Sequence, residues 1–165
     1  METKTSKDFD PVTWANFQKN LVIGQQYEEK LMTYLINNGY SAYSSSSKEY
    51  DIKYTYTAST EEEKTRTLEL KTDFVANKTN NIFIETFQNG YKSGINTTKA
   101  KSWCTTIVNT YEEKNKCICV NTKSLKKYID ENKHKLRPAT GHQSEGYLIS
   151  INSIITELKN KIFYV

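Results

Sequence analysis

Tyr50-Asp51-Ile52-Lys53-Tyr54-Thr55-Tyr56-Thr57 and Thr65-Arg66-Thr67-Leu68-Glu69-Leu70-Lys71-Thr72, joined by the charged run Ser59–Lys64, read as the two arms of a β-hairpin. Each arm alternates in character and is rich in β-branched and aromatic residues, the pattern of a half-buried strand. Ile52 and Tyr54 fall on one side, Asp51 and Lys53 on the other; Leu68 and Leu70 oppose Glu69 and Lys71 in the same way. Folding about Glu61 sets Asp51 opposite either Glu69 or Lys71, two registers that differ by two residues. With Asp51 facing Lys71, and Lys53 facing Glu69, two ion pairs form on a wet sheet face, each contributing about 0.2–1 kcal/mol. With Asp51 beside Glu69, two carboxylates stand roughly 5 Å apart, which is unfavourable without a divalent cation between them. Composition favours the solvated face, and the register stays open.

Upstream, Leu21–Asn38 has helical periodicity and ends at Asn37-Asn38-Gly39, residues that tolerate left-handed geometry. At about 100° per residue, Glu28 falls in the middle of the apolar stripe of Leu31, Met32 and Leu35, with Ile36 further round and Glu29 at the boundary. A carboxylate aimed into a core is costly unless it finds a cation or hydrogen-bond donors. Gly24, one turn earlier on the same face, would let another segment approach closely. The plainer alternative pairs Glu28 with a structural Lys or Arg.

Downstream, Tyr40–Tyr43 reads as a short strand, followed by the serine loop Ser44–Ser47, and Asn80–Phe87 as a strong strand. Asn96-Thr97-Thr98 offers N-cap chemistry for a short helix through Lys101. Trp103–Val108 and Lys116–Val120 read as strands, Ser124–Lys135 as a helix, Gly146–Ile151 as a strand, and Asn152 as the cap of a final helix to Lys161. The expectation is an N-terminal arm over residues 1–20, with Trp14 and Phe17 packed on the body, and one domain over residues 21–165. That domain is α+β, with a mixed central sheet flanked by helices.

Bulk properties narrow the class. A 165-residue chain with 25% charged and 36% apolar residues buries a core without needing a staple. A net charge of +4 permits a polyanionic partner without demanding one. The three cysteines form no metal-binding C-x-x-C pair, and Cys117 and Cys119 alternate within an apolar run. Their odd number argues against a disulfide framework and for a reduced, cytoplasmic setting. No segment has the length and apolarity of a membrane span or a signal core. His134 and His142 match no zinc spacing.

Gly24-x-x-x-Glu28, Gly39, Asp51-Ile52 and Glu69-Leu70-Lys71 within an apolar strand resemble the PD-(D/E)xK nuclease superfamily, whose members have a restriction-endonuclease-like fold. The helix and hairpin are similar to those of archaeal-type Holliday-junction resolvases. Thr72-Asp73, Asn81–Glu85, Ser93-Gly94-Ile95 and Thr97–Ala100 look like segments of phage-encoded members. The likeness covers residues 22–105. Tyr50 stands where the motif often has Pro, and the Glu61-Glu62-Glu63 turn has no assigned role.

The resemblance implies a metal-dependent endodeoxyribonuclease acting on DNA, branched DNA included, that works as a homodimer. Asp51, Glu69 and the Leu70 carbonyl would hold Mg²⁺ or Mn²⁺, with Glu28 in support, and Lys71 would orient the attacking water. Glu85, sharing a strand face with Phe83 and Phe87, belongs either to that metal site or to a structural ion pair. Ser93, Thr97, Thr98 and Lys99 would form an anion site at a helix N-terminus, or ordinary capping. Between Lys114 and Arg137 eight cations face two acids, so Lys123, Lys126 and Lys127 are candidate DNA contacts, or simply a solvated helix face. The competing function is a non-catalytic nucleic-acid-binding protein that keeps the nuclease fold.

Overall fold

Alternation along the strands divides the protein into two cores on opposite faces of one sheet. The computed structural model describes residues 11–109, 111–140 and 143–165. Residues 1–10 of the expected N-terminal arm lie outside the described residues, as do the side chains of Trp14 and Phe17 and the whole of His142.

Helix α1 runs unbroken from Pro11 to Asn37, so residue 20 is not an element boundary. Gly39, at φ +83°, ends it with its N–H donated to the Ile36 carbonyl. Strand β1 (Ser41–Ser44) leads to β2 (Ile52–Thr57) and β3 (Glu63–Asp73). A four-residue helix, α2 (Ala76–Thr79), precedes β4 (Asn81–Gln88) and the short β5 (Tyr91–Lys92). Then come β6 (Ser102–Ile107), β7 (Lys116–Asn121), α3 (Thr122–Asn132), β8 (Arg137–Thr140), β9 (Ser144–Ser150), α4 (Ile151–Glu157) and β10 (Asn160–Tyr164).

The larger sheet has the order β1-β2-β3-β6-β7-β10 and is mixed: β3 and β6 are parallel, every other pair antiparallel. A second, antiparallel sheet has the order β5-β4-β9-β8. One expected central sheet is therefore two. Three strands have no clear signal in the sequence, and all are edges: β5 is two residues long, β8 carries Pro138, which suits an edge position, and β10 is polar at its start. The last helix stops at Glu157 rather than Lys161, and its cap is Ser150, whose Oγ accepts the Ser153 N–H at 3.0 Å.

Leu68, Leu70, Cys104, Cys117, Cys119 and Phe163 face α1, packing with Leu31 and Leu35. Their neighbours Trp103, Ile118 and Val120 point the other way, onto Ile82 and Ile84 of β4, Ile149 of β9, and Leu125 of α3. Two glycines permit close contact on that side. A Cβ at Gly146 would stand 2.1 Å from the Ile84 carbonyl oxygen, and one at Gly94 (φ +50°) would stand 2.5 Å from that of Glu85.

The cysteines depart from expectation. Cys104 and Cys119 are directly opposed across β6 and β7, and they are disulfide-bonded, leaving Cys117 free and buried. An odd count says nothing about two thiols that strand pairing brings face to face. Burial pushes the remaining Cys117 thiol up to about 12, so it stays protonated. Among the described residues no helix is long and apolar enough to cross a membrane.

Candidate active site

Register decides what the hairpin presents. Ile52 pairs with Leu68 and Lys53 with Thr67, so the next step sets Asp51 opposite Glu69. The Asp51 N–H donates to the Leu68 carbonyl at 2.9 Å, and its Oδ2 accepts the Leu70 N–H at 2.7 Å. The alternative pairing of Asp51 with Lys71 and Lys53 with Glu69 is not the one formed. Lys71 instead bonds Glu69 on its own strand, Nζ to Oε1 at 2.8 Å, and lies over the Trp103 ring at 5.7 Å.

Helix α1 brings the third carboxylate. Leu31 and Leu35 are fully buried, Glu28 is half-buried between them and the helix start, and Glu29 is exposed. Partial burial and then the charge of Asp51, with Glu69 adding to it, push the Glu28 carboxyl up to about 7; Lys71 counteracts this. Asp51 is also raised, by burial first and Glu69 second, against the Leu70 N–H and Lys71. For Lys71, burial alone would lower the ammonium. Glu69, by charge and hydrogen bond, then Asp51 and Glu85, outweigh it and hold the group above its ordinary value. Two details of the helix differ from expectation. Ile36 is exposed at 55%, beyond the edge of the buried stripe, and a Cβ on Gly24 would meet no atom within 4 Å among the described residues. Among the described residues Gly24 is not a point of close approach.

Glu85 reaches the same centre from the second sheet. Its Oε1 accepts the Ser93 hydroxyl at 2.7 Å and its Oε2 the Ser144 hydroxyl at 2.8 Å. Among the described residues it has no structural ion pair. Gly94 allows this by pressing the 93–98 loop against the Glu85 backbone. A cavity of about 790 Å³ runs between the sheets, lined by Glu69, Lys71, Glu85, Ser93, Thr97 and Trp103 among others.

The helix expected through Lys101 is not formed; Gly94–Asn96 is a single 3-10 turn followed by a turn at Thr97 and irregular chain. The amides that would have bound an anion are already engaged. Thr97 and Thr98 donate to Gly94, Lys99 to Glu49, Ala100 to the Thr98 hydroxyl and Lys101 to that of Thr67. Thr98 is buried and serves the acidic centre instead, its hydroxyl donating to Glu69 Oε2 at 3.0 Å. The Lys99 ammonium pairs with Glu49 at the surface.

Lys123, Lys126 and Lys127 lie on α3 and do not line the cavity; Lys127 is 3.6 Å from Glu131. Lys114 and Lys116 lie at the opposite end of β7 from α3, so the basic stretch is not one patch. The Leu70 side chain is in the core.

Arranged this way, Glu69 bonds the Lys71 ammonium, Asp51 and Glu85 act on it by charge, and Glu28 feels its field. Among the described residues the one trio of His, Cys, Asp or Glu ligand atoms all within 4.8 Å of one another is Cys104, Cys117 and Cys119, so no three of the carboxylates come that close together. Ser144, which steadies Glu85, went unnoticed in the sequence because it is 59 residues away and carries no local signal. No known protein family, curated protein or solved structure matches this chain.

Proposed function

We propose that the protein is a Mg²⁺- or Mn²⁺-dependent endonuclease that hydrolyses DNA phosphodiesters, with a restriction-endonuclease-like architecture. The observation that carries this reading is the hairpin register: Asp51 opposes Glu69 while Glu28 arrives from α1, three carboxylates sharing the field of one lysine. Within it, Glu28 and Asp51 are held above the ordinary carboxyl range by burial and by neighbouring negative charge, a strain that a hard cation relieves. The donors fit one, since carboxylate oxygens and a backbone carbonyl are the ligands such ions prefer.

Asp51 and Glu69, with the Leu70 carbonyl, are the residues that would hold the ion, with Glu28 and Glu85 beside them. A bound divalent ion supplies Lewis-acid polarisation and a template for in-line attack on phosphorus. Lys71, protonated throughout the neutral range, orients the attacking water and donates to the charge that builds on the phosphoryl oxygens. Glu28, its carboxyl pushed up by burial and the Asp51 charge, would be drawn to its ionised form by a bound cation and support the ion from α1. Trp103 and the loop at Thr97 wall the cavity beside this point.

Branched DNA is the proposed substrate and a homodimer the proposed working unit, because symmetric cutting of two strands calls for two sites. Plasmid and four-way-junction DNA are incubated with Mg²⁺, Mn²⁺ or EDTA. Metal-dependent cutting that is lost in Lys71→Ala supports catalysis. Retained binding without cutting in any metal supports the second reading, a non-catalytic nucleic-acid-binding protein. That reading draws on the engagement of both Glu69 oxygens by Lys71 and Thr98.

A further inference from the structure

A second concavity, of about 420 Å³, opens at the other end of the large sheet. Arg66 of β3, Lys101 before β6, and Lys159 and Lys161 around the start of β10 line it, and among the described residues no Asp or Glu does. All four cations are exposed, and none pairs with a carboxylate among the described residues. Tyr40, Tyr54 and Tyr56 form its floor with ring centroids 5.5 to 6.1 Å apart. Lys161 lies over Tyr40 at 5.4 Å and over Phe163 at 4.9 Å, and its Nζ reaches the Tyr40 hydroxyl at 3.4 Å. The Lys101 ammonium is held by the Thr65 carbonyl at 3.2 Å.

Four positive charges brought together without an acid repel one another, and an anion relieves that repulsion. The carboxylate centre has the opposite character. An acidic cavity repels a polyanion, so a strand reaching it must be held by positive charge elsewhere. Arg66 precedes Glu69 by three residues on β3, about 10 Å along the strand, and by alternation its side chain leaves the opposite face of the sheet, so a nucleic acid that meets both passes round the edge of the sheet.

We infer that the cleft of Arg66, Lys101, Lys159 and Lys161 over the tyrosine floor binds the phosphodiester backbone of the nucleic acid whose scissile phosphate lies at the carboxylate centre. That the anion is a nucleic-acid strand rests on the proposed nuclease reading; the cationic, tyrosine-floored cleft does not. Lysines and arginines neutralise phosphates, tyrosine hydroxyls donate to phosphate oxygens, and affinity falls with salt according to the number of contacts. No run of residues announces the cleft, because β3, the β6 approach and β10 contribute one or two cations each.

The test is fluorescence anisotropy of labelled oligo-dT and labelled duplex DNA in EDTA, where no cutting occurs, across a salt series. Arg66→Glu, Lys101→Glu and Lys161→Glu are compared with Lys123→Glu and Lys127→Glu on α3. All five side chains are exposed, and circular dichroism melting verifies that each variant is folded. Each cleft reversal is expected to raise Kd about tenfold and to flatten the salt slope by about one, while the α3 reversals do neither. Equal or larger effects from α3, unchanged binding in the cleft variants, or no DNA binding by the parent protein would each overturn the inference. The two proposals fail separately. Cutting that ignores the cleft variants removes this one alone, and cleft-dependent binding without cutting in any metal removes the nuclease reading alone.

Discussion

The Asp51 carboxylate accepts the backbone N–H of Leu70 at 2.7 Å, joining the two arms of the hairpin one residue before Lys71. The bond does two things: it fixes the carboxylate beside Glu69, and it satisfies an amide next to the core. The two roles separate by substitution. Asp51→Asn keeps an oxygen acceptor for Leu70 and loses the charge, so the melting temperature should hold or rise while metal-dependent cutting falls at least about a hundredfold. Asp51→Ala leaves the amide without its partner and should cost a further 1–3 kcal/mol or so of stability by urea unfolding.

Glu28 sets a pH dependence. Its carboxyl is raised to about 7, so its contribution to stability is present at pH values below the unfolded carboxyl's range and is lost as pH rises through about 7. Asp51, raised as well, acts in the same direction. In EDTA, Glu28→Gln should therefore match the parent near pH 4 and exceed it in stability at pH 8. A stability difference that does not grow with pH would contradict the site's geometry. Protons and Mg²⁺ compete for the same oxygens, so Mg²⁺ should raise the parent's melting temperature more at pH 8 than at pH 5.5.

Gly146 lies where β9 passes the Ile84 carbonyl with no room for a side chain. Gly146→Ala is expected to destabilise the protein by about 1–3 kcal/mol through forced separation of β4 and β9. Because β4 carries Glu85 and β9 begins with Ser144, cutting should weaken as well. Gly24→Ala, with no described atom near its Cβ and a helical backbone, should leave both unchanged or add slightly to stability.

The cysteine arrangement predicts a simple thiol count. Denatured without reductant, the chain should show one thiol to a thiol reagent, that of Cys117, and three after reduction. Closing a loop with a sequence separation of 15 stabilises by about 3 kcal/mol in the chain-entropy description. Reduction should lower the unfolding free energy by about that amount, measured in urea with and without reductant. Three reactive thiols before reduction would show that the pair is not bonded.

Local periodicity carried a good part of the fold. The apolar stripe around Leu31 and Leu35 pointed to both the helix and the inward carboxylate of Glu28, alternation marked β2 and β3, and apolar runs marked β4, β6 and β7. Signals weakened at edges, where one side of a strand meets water. There β8, holding Pro138, and β10, opening on Asn160-Lys161, lacked the pattern of their interior neighbours. The 97–101 segment shows capping chemistry turned to another use: Thr98 commits its hydroxyl to Glu69 and to the Ala100 amide, not to a helix that never forms.

From the chain of residues alone came the identity of the acidic groups, the faces on which they stand, and the hairpin that joins Asp51 to Glu69 and Lys71. Period and burial preference are properties of neighbouring residues, so they can be read in order. Pairing between distant segments cannot. Packing chose the Asp51–Glu69 register over its rival two residues away and closed Cys104 onto Cys119. It also brought Ser93 and Ser144 to Glu85, and it drew Arg66, Lys101, Lys159 and Lys161 from three parts of the chain into one cleft. Each depends on which surfaces bury one another best, a balance summed over the whole molecule rather than written in any one segment.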